Sequence, residues 1–324
     1  MKAVQFRQFG PPDVLNIIEI PAPVPAQGEV LVRVHAAGVN YFEVLMRGDR
    51  YAVTPELPMI PGVEVAGIVE QIGPGVDPSL RGARVAVPLF AAGRGSGYAE
   101  LVAVEAASAI PLPDGLGFND AVALMVQGLT ALHLVRRSPP KGRSVLVTAA
   151  AGGVGSLLVQ FAKREGAERV IAAASSRTKL DLALSLGADL AIDYSRADWT
   201  DTLKAQAANA NIIYETIGGA MTKASLQALA PRGEIVFAAL GRFELDQSDM
   251  NRVFDLNQSI KGFALLPLLS LESVRPDLTE LFDLVAAGTI KVLQGGAFPL
   301  HEAAHAHAAI ESRSVSGKVV LSPR

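Results

Sequence analysis

The feature that most constrains this chain is a glycine-rich turn that joins an apolar strand to an apolar helix. Residues 144–148 predict a buried strand, and residues 153–165 predict the helix that follows it. This is the context that a dinucleotide-binding turn requires. Ala150, Gly152 and Gly155 take its three spaced positions, with alanine in place of the first glycine. The residues assigned to cofactor binding here are Gly152, Gly153, Val154 and Gly155.

Each glycine of this turn has a physical reason in a nucleotide site. The missing side chain at Gly152 lets the backbone approach a pyrophosphate, and Gly155 lets the helix pack closely on the strand. The helix N-terminus then offers N–H groups and a positive dipole end to the anion. The alternative is an ordinary tight turn between a strand and a helix, which the repeated units after it disfavour.

Strands and helices alternate after this turn. Repeated units of this size predict a doubly wound parallel sheet with helices on both faces, an α/β fold. The predicted strands are Arg169–Ala174, Leu190–Ile192, Ile212–Glu215 and Glu234–Ala238, and the predicted helices are Thr178–Leu186 and Met221–Leu229.

The first third of the chain has a different pattern. Short apolar runs of period two, such as 29–35 and 84–87, are bounded by Pro and Gly and predict an antiparallel, barrel-like β region. Residues 119–135 then predict a long buried helix. The last segment predicts a helix at 302–311 and a strand at 317–321, and the pattern leaves open which domain they join.

Composition excludes several classes of protein. The chain has no cysteine, which excludes disulfides, cysteine-ligated zinc and thiol nucleophiles. It carries 29 basic and 32 acidic residues, so it shows no electrostatic footprint for nucleic acid or an anionic membrane. Residues 1–7 lack the apolar core of a signal peptide, and glycines interrupt the uncharged stretch 144–162. We expect a soluble, cytoplasmic protein with a small-molecule substrate.

The end of the second predicted strand indicates which dinucleotide binds. An NAD site usually places a carboxylate there, on the ribose 2′-hydroxyl. Here the strand ends in Ser175-Ser176-Arg177-Thr178-Lys179, and the first carboxylate is Asp181. Hydroxyls and cations suit a 2′-phosphate. Cations in the first turn of a helix oppose its dipole, and a bound phosphate would explain them. The sequence favours NADPH, with a solvated helix start as the alternative for Arg177 and Lys179.

Over nearly its whole length the chain resembles the medium-chain dehydrogenase/reductase superfamily, in its zinc-free quinone oxidoreductase branch. The order and spacing of several short motifs carry the resemblance. They are Ala36-Ala37-Gly38-Val39-Asn40, Pro61–Gly67, Gly128-Leu129-Thr130-Ala131, Ala149–Gly155, Leu186-Gly187-Ala188-Asp189, and Glu311-Ser312-Arg313 followed by Gly317-Lys318-Val319-Val320.

The resemblance implies a GroES-like catalytic domain over residues 1–118 and 266–324, and a Rossmann dinucleotide-binding domain over 119–265. Asn40 and Val63 stand where zinc alcohol dehydrogenases carry Cys and His, so we expect no zinc. The implied reaction is hydride transfer from NADPH to a quinone or an α,β-unsaturated carbonyl bound between the domains. The implied catalytic residues are Tyr51, as proton donor, and Asn40. The further implied cofactor contacts are Asn40, Thr130, Ser175, Lys179, Tyr194, Ile217, Gly241 and Phe263.

Three alternatives stay open at this stage. An enoyl-thioester reductase would need a channel for a long acyl arm, and a crystallin-like protein would bind NADPH without turnover. Residues 301–305 match the His-Glu-x-x-His pattern of zinc proteases, with His307 nearby, but the same helix has a natural buried apolar face.

Trp199 and the charges around it indicate a helix surface. A homodimer is possible through an edge strand of the nucleotide sheet.

Overall fold

The computed structural model describes residues 1–206, 208–239 and 244–323. They form two compact units. The first contains Met1–Gly128 and Leu268–Arg324, and the second contains Leu129–Pro267.

The first part of the first unit is mainly strands. Its strands are β1 (Lys2–Gln5), β2 (Asn16–Glu19), β3 (Glu29–Val39), β4 (Val65–Ile72), β5 (Arg84–Val87), β6 (Leu101–Glu105) and β7 (Ile110–Pro111). Its helices are α1 (Tyr41–Arg47), α2 (Phe118–Ala123) and a π-helical turn at Leu124–Gly128. Short 3-10 turns lie at Pro12–Val14, Pro78–Leu80, Leu89–Ala92 and Ala106–Ser108.

The second unit alternates helices with strands, as predicted. Its helices are α3 (Leu129–Arg137), α4 (Gly153–Arg164), α5 (Arg177–Ser185), α6 (Trp199–Ala205), α7 (Ala220–Ala228) and α8 (Gln247–Asp255). Its strands are β8 (Ser144–Val147), β9 (Arg169–Ala174), β10 (Leu190–Asp193), β11 (Ala210–Glu215), β12 (Leu229–Phe237) and β13 (Ser259–Gly262). The chain then returns to the first unit through 3-10 turns at Leu266–Leu268 and Leu300–Glu302 and through α9 (Leu271–Ala286), β14 (Gln294–Pro299), α10 (Ala303–Glu311) and β15 (Lys318–Ser322).

The main sheet of the first unit has seven strands, of which β3 is the longest. The path runs β14-β15-β3-β4-β5-β7, and β6 also pairs with β3. The pairs that involve β3 are antiparallel. The C-terminal strand β15 pairs with β3 in the register Val319↔Val39, so the last segment of the chain lies in the first unit. The inward residues of these strands, Val32, Val34, Val85 and Val319 among them, form its apolar core.

The sheet of the second unit is parallel and has six strands in the order β10-β9-β8-β11-β12-β13. The chain enters at β8, moves outward through β9 to β10, and then crosses back to β11 on the other side of β8. The strand order therefore reverses between β8 and β11, which is where doubly wound sheets bind ligands. This architecture confirms the α/β fold with a GroES-like and a Rossmann part.

One sequence interpretation of this unit is wrong. Trp199 is 4% exposed and packs in the apolar core with Leu203 and Ile213, not on a helix surface. It is the first residue of α6, and its indole turns inward while Asp198 and Asp201 stay at the surface. The neighbouring charges concealed an inward-facing position because a helix with only seven residues shows too little of its period.

The predicted helix over residues 119–135 is confirmed, with an interruption. α2, the π-helical turn and α3 form one helical segment, Phe118–Arg137, in which the middle turn is π-helical. Within the described ranges, this is the one segment long and apolar enough to cross a membrane, and most of it is buried inside the protein.

Candidate cofactor and substrate site

Two positions of the glycine turn between β8 and α4 are crowded by backbone. A Cβ on Gly155 would lie 2.2 Å from the carbonyl oxygen of Ala149, which is backbone and cannot swing away. A Cβ on Gly152 would lie 3.1 Å from the same oxygen. Ala149 itself has a φ of 47°, a left-handed conformation that is uncommon for a residue with a side chain. The chain therefore folds back tightly here and leaves an open cradle of backbone that suits a pyrophosphate.

Helix α4 starts at this cradle. Gly152 is its N-cap and has no side chain that could accept a hydrogen bond. Gly153, Val154 and Gly155 form the first turn, in which the N–H groups have no helical carbonyl to donate to. α4 has 12 residues, enough for a dipole that favours an anion at this end. Basic residues at the other end, Lys163 and Arg164, match the same dipole. The turn thus fits the diphosphate of a dinucleotide.

The other predicted contacts in the second unit follow the ends of neighbouring parallel strands. Ser175 and Ser176 follow β9, Tyr194 follows β10, Ile217 follows β11, and Phe263 follows β13. Backbone hydrogen bonds fix two of them, from Tyr194 N–H to the Ala174 carbonyl (3.1 Å) and from Phe263 N–H to the Phe237 carbonyl (2.9 Å). Carboxyl ends of parallel strands lie along one edge of the sheet, so these positions lie along the same edge. Thr130 lies at the start of α3, which packs on α4, and Gly241 lies outside the described residues.

The start of α5 carries the residues predicted to bind a 2′-phosphate. Ser176 is the N-cap of this helix and makes no side-chain capping hydrogen bond. The Arg177 side chain is 85% exposed and pairs with Asp181 at 2.9 Å. An exposed pair of this kind contributes little stability, so a phosphate can compete for the guanidinium. Lys179 is half-buried in the same turn.

The two loops at the reversal of strand order are tied to each other. Thr216, just after β11, donates its N–H to Thr148 Oγ1 at 2.9 Å, just after β8. Glu215, the last residue of β11, accepts hydrogen bonds from the N–H groups of Ile217 (2.6 Å) and Gly218 (3.0 Å). These contacts give the loop that contains Ile217 a fixed shape.

Asn40, in the first unit, lies in a buried network of charged groups. It is the N-cap of α1 and is 3% exposed. Its Nδ2 donates to Glu64 Oε1 at 2.8 Å and to Glu43 Oε2 at 3.3 Å, and its Oδ1 accepts from Lys318 Nζ at 2.8 Å. Lys318 also forms an ion pair with Glu64, and both side chains are completely buried. Because lysine only donates and carboxylates accept, the orientation of the Asn40 amide is fixed by its neighbours.

The network continues on both sides of Asn40. Glu64 Oε2 accepts the N–H of Val126 (2.8 Å), which lies in the π-helical turn. Glu43 accepts the N–H groups of Asn40 (2.8 Å) and Gly62 (2.9 Å). Burial, together with the charge of Glu64, raises the pKa of Glu43 to about 7, against the opposing effect of the Asn40 N–H.

Tyr98 and His307 close the network. The Tyr98 hydroxyl lies 3.4 Å from Glu43 Oε2 and 3.1 Å from His307 Nε2. Burial raises the pKa of Tyr98 well above its ordinary value. Burial, and then the charge of Arg47, lowers the pKa of His307 to about 3, so this imidazole is neutral. Both side chains are therefore uncharged at neutral pH.

Tyr51 lies beyond the C-terminal end of α1. Its ring packs against that of Phe42, with 5.6 Å between centroids, so the loop folds back along the helix toward Asn40. The side chain is half-buried, and burial raises the pKa of its hydroxyl. Tyr51 Oη makes no hydrogen bond within the described residues, which leaves this phenol able to donate to a bound molecule.

The protease-like pattern has no metal geometry in the structure. His301 lies on a 3-10 turn and His305 on α10, with side chains 70% and 77% exposed. Each imidazole is nearly 4 Å from a Glu302 oxygen (3.9 and 3.8 Å). His307 points the other way, into the core toward Tyr98. Across residues 1–206, 208–239 and 244–323, no three His, Asp or Glu side chains are arranged to hold a metal ion.

Sequence reasoning missed the residues that support the site. Glu215 ends an apolar strand just before Gly218 and Gly219, and a carboxylate in that place was the available signal. Glu64 and Lys318 lie inside two of the short motifs shared with the superfamily, but in the sequence each is an ordinary charged residue next to an apolar strand. Only the strand pairing shows that the two meet.

Comparison with known families agrees with this geometry. Residues 26–114 match the alcohol dehydrogenase GroES-like domain family. Residues 153–287 match the zinc-binding dehydrogenase family.

Individual relatives span the whole chain. A quinone oxidoreductase of Salmonella typhimurium is 32% identical, over 99% of this chain and 99% of the relative. A 2-haloacrylate reductase of a Burkholderia species is 33% identical with the same coverage. The structure of the Thermus thermophilus quinone oxidoreductase, studied alone and with NADPH, has 34% identity and a TM-score of 0.83, and covers 99% of this chain and 100% of that one. The chain therefore belongs to the medium-chain dehydrogenase/reductase superfamily, in its quinone oxidoreductase branch.

Proposed function

We propose that this protein is an NADPH-dependent oxidoreductase that reduces a quinone or an α,β-unsaturated carbonyl without zinc. The observation that carries the proposal is the backbone cradle at Gly152–Gly155, placed where the strand order of the parallel sheet reverses. Full-length similarity to named quinone oxidoreductases, including one studied as an NADPH complex, supports the same cofactor and acceptor.

The residues of the second unit bind and orient the cofactor. NADPH supplies a hydride to an electron-poor carbon when it is bound. The glycine turn and the first turn of α4 hold its diphosphate. Its 2′-phosphate is held by Ser175, Ser176, Arg177 and Lys179. Tyr194, Ile217, Phe263, Gly241 and Thr130 complete the contacts.

Tyr51 acts on the acceptor as a hydrogen-bond donor, whereas Asn40, whose Nδ2 already donates to Glu64 and Glu43, acts through its dipole. Negative charge develops on the conjugated oxygen of the acceptor as hydride arrives, and a hydrogen-bond donor there lowers the barrier. The Tyr51 hydroxyl suits this task because a phenol is protonated at neutral pH and this one makes no hydrogen bond to the described residues; burial raises its pKa further. Asn40 has an amide held in one orientation by Glu64 and Lys318, so it presents a fixed dipole rather than a mobile one.

The composition of the Asn40 network supports a reaction without zinc. Zinc dehydrogenases of this superfamily place Cys and His where this chain has Asn40 and Val63. Here the cation beside Glu64 is the ammonium of Lys318. An acceptor that is already activated by conjugation does not need a Lewis acid to polarise its carbonyl group. The Burkholderia relative, named for a haloacrylate, supports a conjugated carbon–carbon double bond as a second acceptor class.

We also infer a cytoplasmic homodimer. β13 is an edge strand of the parallel sheet. On the preceding helix α8, Phe254 is 83% exposed and Met250 is 44% exposed, one turn apart. An open strand next to exposed apolar side chains suits a second copy of the same chain.

The test is NADPH oxidation with a panel of quinones, 2-enals, a 2-haloacrylate and an enoyl-thioester. The proposal expects turnover with a quinone or an enone by protein purified without a His tag, unchanged after chelation of metals. Turnover confined to the thioester would identify an enoyl-thioester reductase. Tight NADPH binding with no turnover would identify a non-catalytic binding protein and refute the proposal.

Cofactor choice and the proton donor have separate variants. Arg177→Ala with Lys179→Ala should raise KM for NADPH much more than KM for NADH, and equal effects would contradict the 2′-phosphate assignment. Tyr51→Phe should lower kcat on enones. The loss on quinones should be smaller because solvent can protonate a hydroquinone anion.

A further inference from the structure

Glu215 is a buried carboxylate on a central strand of the second unit's parallel sheet. It is the last residue of β11 and is completely buried. No ion pair is found for it within the part of the chain that the structure describes. Burying a charge is costly unless hydrogen bonds compensate, so its position needs an explanation.

Three donors from the following segment converge on this carboxylate. Oε1 accepts the N–H groups of Ile217 (2.6 Å) and Gly218 (3.0 Å). Oε2 accepts the Thr222 hydroxyl (2.7 Å) from the first turn of α7. Glu215 therefore binds both the loop and the helix after it, and the loop closes around the side chain.

The loop that Glu215 holds could not keep this shape by backbone preference alone. Gly218 has a φ of 88° and Gly219 a φ of 61°, both in the region that favours glycine. Two adjacent glycines give a flexible chain when nothing fixes them. The hydrogen bonds to Glu215, and that from Thr216 N–H to Thr148 Oγ1 (2.9 Å), select one conformation.

The position of this loop relates it to one half of the dinucleotide. The glycine turn after β8 holds the diphosphate, and the residues predicted to bind the 2′-phosphate lie after β9, on one side of β8. β11 lies on the other side of β8. A dinucleotide that extends across the reversal of strand order therefore places its nicotinamide half toward the loop after β11.

We infer that Glu215 is a positioning residue for the nicotinamide half of the cofactor, acting through the loop 216–219. This inference rests on the proposed function. Glu215 does not touch the cofactor. It fixes the backbone that does, and the adenosine half binds independently of it.

The experiment compares two ligands by titration calorimetry. One is NADPH, and the other is adenosine 2′,5′-bisphosphate, which lacks the nicotinamide half. Glu215→Gln places an amide N–H₂ opposite backbone donors. It should weaken NADPH binding about tenfold, as expected when a hydrogen bond to a charged group is lost. Affinity for adenosine 2′,5′-bisphosphate should stay within about twofold of the wild type. Glu215→Asp keeps the charge and should recover part of the NADPH affinity.

Glu234→Gln is the matched control. Glu234 is also a buried carboxylate of this sheet, on the adjacent strand β12, but it pairs with Arg143 (2.8 Å) and Lys261, and its register partner is Ile212, three residues before Glu215. The Glu234→Gln variant should leave the ratio of the affinities for NADPH and adenosine 2′,5′-bisphosphate unchanged.

Each other result has a distinct meaning. Equal losses for both ligands, or an unchanged NADPH affinity, would overturn the role of Glu215. If the wild type bound adenosine 2′,5′-bisphosphate but not NADPH, the proposed function would fail, and this inference with it. If Glu215→Gln did not fold, Thr222→Val removes one donor and keeps the carboxylate. It should weaken NADPH binding alone, and an unchanged affinity there would also overturn the inference.

Discussion

Glu43 offers a quantitative test of the buried network in the first unit. Burial first, and then the charge of Glu64, raises the pKa of Glu43 from 4.5 to about 7. The unfolded chain loses this proton near the lower value. Between the two values the folded state binds more protons than the unfolded state, so the free energy of unfolding falls as pH rises. The difference in pKa corresponds to about 3 kcal/mol.

The perturbation is Glu43→Gln, which keeps the shape of the side chain and removes the titration. Urea unfolding of both proteins, followed by circular dichroism, gives the free energy of unfolding at each pH. The other titratable groups of the network, which are Glu64, Lys318, Tyr98 and His307, are present in both proteins, so their contributions cancel to first order in the difference. The variant should gain about 3 kcal/mol relative to the wild type from pH near 4.5 to above 7.

The sign of this change is diagnostic. A carboxylate stabilised by its two backbone N–H donors would give the opposite slope, with the wild type gaining as pH rises. Glu56→Gln, at an exposed position of the same unit, controls for the loss of one charge. A difference between wild type and Glu43→Gln that does not vary with pH would show that the pKa of Glu43 is the same in the folded and the unfolded protein, and would refute the reasoning.

Three other substitutions test other parts of the structure. Folding lowers the pKa of His307 to about 3, so the free energy of unfolding of the wild type falls as pH drops below 6.5. His307→Gln lacks this titration and should gain about 3 kcal/mol relative to the wild type between pH about 6.5 and 4.5, measured by urea unfolding. Gly155→Ala places a Cβ against backbone. It should reduce NADPH affinity at least about tenfold in a fluorescence titration and cost about 1–3 kcal/mol of stability, whereas Gly262→Ala, with open space around it, should change neither. Lys318→Met leaves Glu64 buried without its cation and should cost about 3–5 kcal/mol in urea unfolding, of which a second substitution, Glu64→Gln, should recover part.

The second unit was predictable from sequence because its elements are local. β9 has the predicted bounds, and β8, α4, α5 and α7 differ from theirs by one residue at one or both ends. The glycine turn was identified because its glycines are required by contacts within six residues of chain, such as that between Gly155 and Ala149.

Helix α9, in the first unit, was not predicted, since Pro276 inside it breaks the usual helical signal, although its N-cap Ser270 accepts a hydrogen bond from the first turn.

The contacts of Asn40 with Glu64 and Lys318 could not be predicted from the sequence because these residues meet only through strand pairing. The antiparallel register Val319↔Val39 extends by one step to bring Lys318 opposite Asn40, across 278 positions of chain. The register between β3 and β4, in which Val65 pairs with Ala37, likewise brings Glu64 opposite Gly38.

This pairing gives Gly38 a physical role that the sequence motif alone did not show. A Cβ on Gly38 would lie 2.3 Å from Glu64 Oε1, the oxygen that accepts the Asn40 amide. Glycine is therefore needed at this position so that the Glu64 carboxylate can cross the face of β3 and reach both Asn40 and Lys318. The short motif that ends in Asn40 is thus one half of a buried ionic site, and the C-terminal strand supplies the other half. The first unit cannot orient the Asn40 amide until the last strand of the chain has paired with β3.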